Sequence, residues 1–350
     1  MSAAALPRTR PWHEADDISA QIAARRLSAA ERDLVLAYRR DGFVIIEDDR
    51  ILDGIDVDEI WRVLGPRFAA DGSGRVQDAW IDLASVRAIA VHPAILATLR
   101  LLYGRDAVPF QTLNFLNGTE QRTHSDTIHF SSLPSGFMCG VWVALEDVTL
   151  RQGPLHYYPG SQRLPEFDYG DLGIPAVPGR PDWSNPLTLP AYQRYEAQIA
   201  RIAGENGFRR AELAVKRGTY LIWSANLLHG GSPRDDRTLT RKSQVSHYFF
   251  ADTVPITPMF SRRAEGAFHV RLLRDIGTGA HIRPRLDGVP VVFPPVDEHR
   301  RGVRPVAGLP GRLLDTLPRN PEVLPDSERH ALRLAAKHLA PLTAVRRVRP

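Results

Sequence analysis

The sequence predicts a mainly β fold with flanking helices (α+β), organised as a double-sheet jelly roll, the double-stranded β-helix barrel. Two observations predict it. From residue 108 to residue 250 the chain offers short runs of β-branched and aromatic residues separated by Gly/Pro turns, the pattern of a double-sheet β protein. Before residue 108 it offers segments whose apolar residues recur at helical spacing, as helices bracing one face of a sheet would. A 43% hydrophobic fraction over 350 residues supplies a sizeable core.

Taken in order, residues 1–27 read as an N-terminal arm, loose over 1–17. Ser28 and Glu31 form a capping-box pattern, which opens a short helix that Gly42 ends. Residues 43–46, FVII, read as a strand. Val57, Ile60, Trp61, Leu64 and Phe68 make the buried stripe of a second helix. Pro93 suits the first turn of a third, whose stripe is Ile95, Leu96, Leu99 and Leu102 and whose stop is Gly104. Strands begin at 108–115, where Gln111 and Asn114 stand out as polar, either solvent-facing or lining a cavity. A second strand lies within FMCGVWVALED.

Residues 164–210 interrupt the strands. Their Pro-rich, aromatic opening precedes a helix-like stretch at 191–203, and a long insertion of this kind reads as a lid. Phe167, Tyr169, Trp183, Tyr192 and Tyr195 either face a substrate or pack the loop down. Residues 211–223 read as two strands around a Lys216-Arg217-Gly218 turn, and 243–250 as the closing strand, with His247 a core histidine. The main domain is 28–250. Residues 251–350 read as an extension wrapping the barrel, with a last helix at 327–342.

Composition excludes several classes. The formal charge is +5, yet the basic residues, nearly all Arg, are scattered among Asp and Glu. A nucleic-acid surface would cluster them, so none is expected. No unbroken apolar run is long enough to predict a membrane span, and the N-terminus lacks the apolar core of a secretory signal. The single Cys139 forbids an internal disulfide and fits a reducing cytoplasm.

The chemistry gathers at His124-Ser125-Asp126. In an extended strand, residues two apart point to one face, so the imidazole and the carboxylate converge. A His-x-Asp alone is common and more often marks a surface turn. Here a strand follows it, and a second strand ends in His229. Two histidines and one carboxylate, with coordination positions left open, are the ligand set of non-haem Fe(II) oxygenases. Beyond His229 stand Arg237 and Arg241, either of which forks onto a carboxylate.

Over roughly residues 40–250 these motifs together resemble the phytanoyl-CoA dioxygenase family of Fe(II)/2-oxoglutarate oxygenases. The matching positions are His124 and Asp126, Trp142, Gly153-Pro154-Leu155, Pro159-Gly160-Ser161-Gln162, His229-Gly230 and Arg241. Two departures stand out: Gln162 where the family carries His, and a loop between His229 and Arg241 one residue longer. The resemblance implies that His124, Asp126 and His229 hold Fe(II). It implies that Arg241 grips the distal carboxylate of 2-oxoglutarate, with Trp142 near the cofactor and Gln111, Asn114 and Ser232 placed to bond its carboxylates. It further implies O2-dependent hydroxylation of a small molecule, in secondary or glycan metabolism, with release of succinate and CO2. Desaturation and ring closure stay open, whereas the Asp126 carboxylate argues against halogenation. Two other classes use the same residues: a non-catalytic binding protein on the same barrel, and a zinc hydrolase with three protein ligands.

Overall fold

A computed structural model describes residues 10–71, 74–177, 183–261, 268–291 and, for backbone alone, 304–306. The helix expected at 327–342 and most of the extension beyond 306 lie outside the described residues. The helices are α1 (Ile18–Arg25), α2 (Ala29–Asp41), α3 (Val57–Asp71), α4 (Ala84–Ala90), α5 (Pro93–Tyr103) and α6 (Thr188–Glu205). The strands of the first half are β1 (Phe43–Ile46), β2 (Arg75–Gln77), β3 (Ala107–Phe115), β4 (Ser131–Leu133), β5 (Met138–Ala144) and β6 (Leu155–Tyr157). Those of the second are β7 (Ala211–Glu212), β8 (Tyr220–Ser224), β9 (His229–Gly231), β10 (Ser243–Phe250), β11 (Val254–Ile256) and β12 (Phe268–Val270). Four short strands, β13 (Leu273–Arg274), β14 (His281–Ile282), β15 (Arg285–Leu286) and β16 (Val289–Pro290), make two hairpins, and β17 is Arg304–Val306.

The large sheet runs β1-β8-β5-β10-β3-β2, antiparallel throughout. A three-stranded sheet, β7-β6-β9, packs over part of it through an apolar cluster that joins Trp142, Leu221 and Val245 to Tyr157 and Leu213. A four-stranded sheet, β17-β12-β11-β4, adds a third edge. This is a jelly roll of opposed sheets, and no closed ring of strands forms among the described residues. Residues 211–223 are not a hairpin, because β7 joins the small sheet and β8 the large one.

Period-two alternation decides what each strand offers to each side. Cys139, Val141, Val143, Tyr220, Ile222, Tyr248 and Phe250 point outward, into one core with Tyr38, Ile60, Leu64, Val86, Ile89, Ile95, Leu99 and Leu102 from α2 to α5. Residues 84–103 pass for a membrane span by length and composition, with mean hydropathy 1.4. They form two helices split before Pro93, whose apolar stripes fill this core. The helix punctuation is as its residue types require. Ser28 and Glu31 exchange both bonds of the capping box. Gly42 and Gly104 end α2 and α5 at φ of 81° and 69°, where a side chain would be strained.

The N-terminal arm is not loose from residue 10 onward. Trp12 is buried, its indole donates to the Leu101 carbonyl at 2.9 Å, and α1 follows. A Trp side chain brings more apolar area than the Pro- and charge-rich composition around it suggests.

Candidate metal centre and co-substrate pocket

Three elements converge on the centre. His124 and His229 exchange backbone hydrogen bonds at 2.9 and 3.0 Å, so their rings lie side by side with centroids 4.5 Å apart. Asp126 is not on a strand, as the alternation argument required. It begins a short 3-10 turn, Asp126–Ile128, which Ser125 caps by accepting from the Thr127 amide. The turn folds the carboxylate back: Asp126 Oδ1 lies 3.6 Å from His124 Nε2, and Oδ2 lies 3.8 Å from His229 Nε2. One donor atom from each of the three residues falls within 4.8 Å of the others. The convergence expected from sequence is present, reached by another backbone path.

The ring nitrogens are already sorted. Nδ1 of His124 donates to the Arg122 carbonyl at 2.8 Å, and Nδ1 of His229 to the Leu227 carbonyl at 2.9 Å. That leaves both Nε2 atoms as lone pairs facing Asp126, the arrangement in which a metal-ligating histidine is fixed by its other nitrogen. Burial pushes His229 down to about 4, with the Asp126 charge opposing. Burial also works against charge on His124, but the Asp126 carboxylate, the Arg122 carbonyl and the Glu196 charge together outweigh it and hold that ring above its ordinary value. Burial disfavours the Asp126 anion as well, yet the surrounding histidines hold its carboxyl far below the usual range. The donor set, one carboxylate and two imidazoles with Nε2 turned toward it, suits a divalent transition metal.

Two residues that sequence reasoning did not assign complete the centre. Trp223 donates its indole N–H to Asp126 Oδ2 at 2.8 Å, which orients the carboxylate. Gly140, its cross-strand partner, makes room for the ring, since a Cβ there would lie 2.1 Å from it. His247 is no plain core residue: its Nε2 sits 3.8 Å from Asp126 Oδ2, and Nδ1 bonds Gln111 Oε1 at 3.0 Å. Alternation along β10 was the available signal, because 241, 243, 245 and 247 share a face.

Arg241 enters the same face just before β10 and is 1% exposed. Its Nη1 donates to the Gly153 carbonyl at 2.7 Å, but Nε has no partner, and no carboxylate pairs with it among the described residues. Burial, with the Arg234 charge adding, lowers the guanidinium to about 10. A desolvated cation without an anion is expensive. Trp142 adds a second unpaired buried donor, its Nε1, on the same side of β5. Unpaired donors of this kind fit a dicarboxylate with one end at the metal and the other on Arg241.

The remaining sequence candidates divide. Gln111 faces the centre and is held by His247. Asn114 does not: it pairs with Gln244 at 3.2 Å on the helix side of the sheet, three residues from Gln111 and hence on the opposite face. Ser232 does not aim at the centre either. Its hydroxyl donates to Glu212 and accepts from Arg210, both at 2.6 Å. Arg237 is exposed and pairs with Glu120 at 3.2 Å, not with Asp235 or Asp236. Gln162 donates to the Arg39 and Arg40 carbonyls and so ties the end of α2 to the turn after β6. In the insertion, α6 buries Tyr192, Tyr195 and Ile199 against Tyr169, Leu228 and Ile128, so packing accounts for Tyr169 and Tyr195. Phe167 packs half-buried against the same cluster. Trp183 remains 53% exposed, 5.6 Å from the Tyr192 ring. His129 lies 4.8 Å from that same ring.

A family model described as Phytanoyl-CoA dioxygenase (PhyH) matches residues 38–239. No curated protein matches the chain. Among solved structures, it is similar to the non-haem α-ketoglutarate-dependent epimerase SnoN from nogalamycin biosynthesis, at 24% identity and a TM-score of 0.49, over 76% of this chain and 96% of that one. It is similar also to the carbocyclase SnoK of the same biosynthesis, at 17% identity and 0.49, over 66% and 87%. A third is EctD from S. alaskensis with bound Fe, at 19% identity and 0.45, over 64% and 77%.

Proposed function

The chain belongs to the phytanoyl-CoA dioxygenase family, and from that premise we propose that it is an Fe(II)- and 2-oxoglutarate-dependent oxygenase that hydroxylates an unactivated C–H bond of a small molecule. The observation that carries the reading is the pairing of the His124–Asp126–His229 cluster with a buried, anion-free Arg241. His124, Asp126 and His229 would hold the iron on one side and leave its other side open. Bound iron with 2-oxoglutarate supplies an oxidation coupled to loss of CO2 and formation of succinate.

The protein's own contribution is geometry. The Leu227 and Arg122 carbonyls keep both ligand imidazoles in one tautomer, and Trp223 holds the Asp126 carboxylate in place. Arg241 presents a fork that fits the distal carboxylate, and the Gly153 carbonyl fixes that fork in orientation. The buried aromatic face of α6 packs on Ile128 and Leu228, beside the turn that carries Asp126 and the residue before His229.

The test is reconstitution under anaerobic conditions with Fe(II), followed by exposure to O2 with 2-oxoglutarate. Succinate release that requires Fe(II) and disappears in Asp126→Ala supports the proposal. Zinc as the purified metal, with no 2-oxoglutarate consumed under any metal, overturns it.

A further inference from the structure

A second guanidinium near the centre also lacks an anion. Arg271 follows β12, in the extension beyond the main domain, and its backbone amide is held by the Pro255 carbonyl at 2.9 Å. The side chain lies over Phe130, with Cζ 4.7 Å from the ring centroid, and reaches within 5.7 Å of the Phe110 centroid. Nη1 donates to Thr257 Oγ1 at 3.1 Å. Nε is buried and has no hydrogen-bond partner, and no carboxylate pairs with Arg271 among the described residues. Burial lowers the group to about 10, and Asp78 opposes this only from a distance. Stacking on an aromatic face leaves the edge of a guanidinium unsatisfied, and that edge is the part that forks onto oxyanions.

Its place relative to the metal cluster gives the edge a use. The Phe130 ring is 5.0 Å from the His247 ring, and His247 is 3.8 Å from Asp126. Arg271 therefore lies one phenyl ring beyond a residue that borders the cluster. The Arg271 charge is close enough to act on both His129 and His247. Beside Phe130 stands His129, whose ring is 4.8 Å from Tyr192 and 6.0 Å from the exposed Trp183. Arg241 is engaged separately, at the Gly153 carbonyl.

We propose that Arg271 is the substrate's anion site: the molecule oxidised carries an oxyanion group, carboxylate or phosphate, that docks on Arg271 while a reacting carbon lies at the metal. This deepens the oxygenase reading and rests on it. The extension beyond residue 250 then supplies substrate recognition as well as packing.

The experiment uses the full chain labelled with 15N, loaded with Zn(II) as a redox-inert stand-in and with saturating 2-oxoglutarate to fill Arg241. Phenylacetate, phenyl phosphate and the neutral phenylacetamide are titrated to millimolar concentration, with the Arg Nε–Hε resonances as readout. Loss of one resonance in Arg271→Lys assigns it. The Arg271 resonance should shift with phenylacetate or phenyl phosphate and not with phenylacetamide, and the responding anion names the oxyanion. By calorimetry that anion should bind about tenfold tighter than the amide or more. The preference should vanish in Arg271→Gln and survive in part in Arg271→Lys, which keeps the charge without the fork. The inference is overturned by silence of the Arg271 resonance toward both anions, an equal response to the amide, or a preference that persists in Arg271→Gln. The same spectra separate the two readings. If 2-oxoglutarate shifts the Arg241 resonance while Arg271 stays silent, only this inference falls. If Arg241 does not respond, the oxygenase reading falls.

Discussion

The two faces of the six-stranded sheet use their polar residues differently. On the helix side, Gln244 donates to the Val86 carbonyl at 2.9 Å and Tyr248 to the Ala90 carbonyl at 2.8 Å, so β10 bonds into α4 and satisfies its last carbonyl. On the other side, Trp142 Nε1 and Arg241 Nε are buried donors with nothing to bond. The unpaired atoms on the helix side include Thr112 Oγ1, Asn114 Oδ1 and, on α3, Trp61 Nε1, none of them charged. Each buried donor left unpaired costs about 1–3 kcal/mol, and more if charged. Of these, the charged donor lies on the site side, where an anionic ligand would relieve its cost. Substitutions on the two faces should separate accordingly: stability on one side, cofactor chemistry on the other.

The largest expected effect is on the site side. Asp126→Ala should abolish Fe(II)-dependent 2-oxoglutarate turnover while the melting temperature changes little, because the three ligands sit in turns and short bridges outside the main core. A variant with unchanged turnover would break the comparison at its centre. Next comes Arg241→Ala, which leaves the distal carboxylate without its partner. The loss should be about 2–5 kcal/mol in 2-oxoglutarate binding, read as a rise of roughly thirty-fold or more in the concentration required. Iron binding should survive, and Arg241→Lys should recover only part, since a point charge lacks the fork.

How much of this the chain displays in sequence depends on whether the signal is local. The Ser28–Glu31 cap, the Gly104 stop and the span of β10 were legible because they are set by neighbours in sequence. The metal cluster was legible because three metal-ligating residues, two histidines and an aspartate, stood in a recognisable order. Which face a residue takes is also local, and Gln111 and Asn114 contain the answer: three apart on one strand, they cannot share a cavity. Their different fates follow from β10 lying between β3 and β5, with His247 opposite Gln111 and Gln244 opposite Asn114. Alternation showed which face His247 takes, but what lies opposite it, like Trp223 and the Arg237–Glu120 pair, depends on strand order and loop packing, which no local pattern encodes.

The helix side offers a pH-dependent contrast of intermediate size. His13 is 3% exposed, held at about 4 by burial, and donates from Nδ1 to the Leu102 carbonyl. Its folded-state value lies below the unfolded value near 6.5, so the unfolded chain takes up the proton first. The stability it supports is present above pH 6.5, falls as pH drops towards 4, and levels off below. At 1.36 kcal/mol per unit this amounts to at most about 3 kcal/mol. His13→Gln should flatten the acid limb of a urea-midpoint profile by about one proton, and an unchanged limb would remove His13 from the account. Tyr248→Phe is smaller again. It strips the Ala90 carbonyl of its partner and should cost about 1–2 kcal/mol in unfolding free energy, with no change in 2-oxoglutarate requirement.

The smallest effect tests whether burial, rather than position after the distal histidine, selects the co-substrate residue. Arg237 and Arg241 both follow His229, and both are fork-shaped cations. Arg237 pairs with Glu120 at 3.2 Å, and its side chain is 67% exposed. Glu120 also accepts from the Arg234 amide at 2.9 Å, so it stays bonded when Arg237 is removed. An exposed pair of this kind is screened by water and contributes little. Arg241, by contrast, is buried and pairs with no carboxylate among the described residues. Arg237→Ala should therefore shift the 2-oxoglutarate requirement by less than about threefold, the scale of a screened surface charge, and leave unfolding unchanged. Raising the ionic strength should alter the wild-type requirement little, because the buried guanidinium is poorly screened. If Arg237→Ala cost as much as Arg241→Ala, the Gly153-anchored guanidinium would not be the co-substrate's partner, and the longer loop after His229 would have moved the register to Arg237.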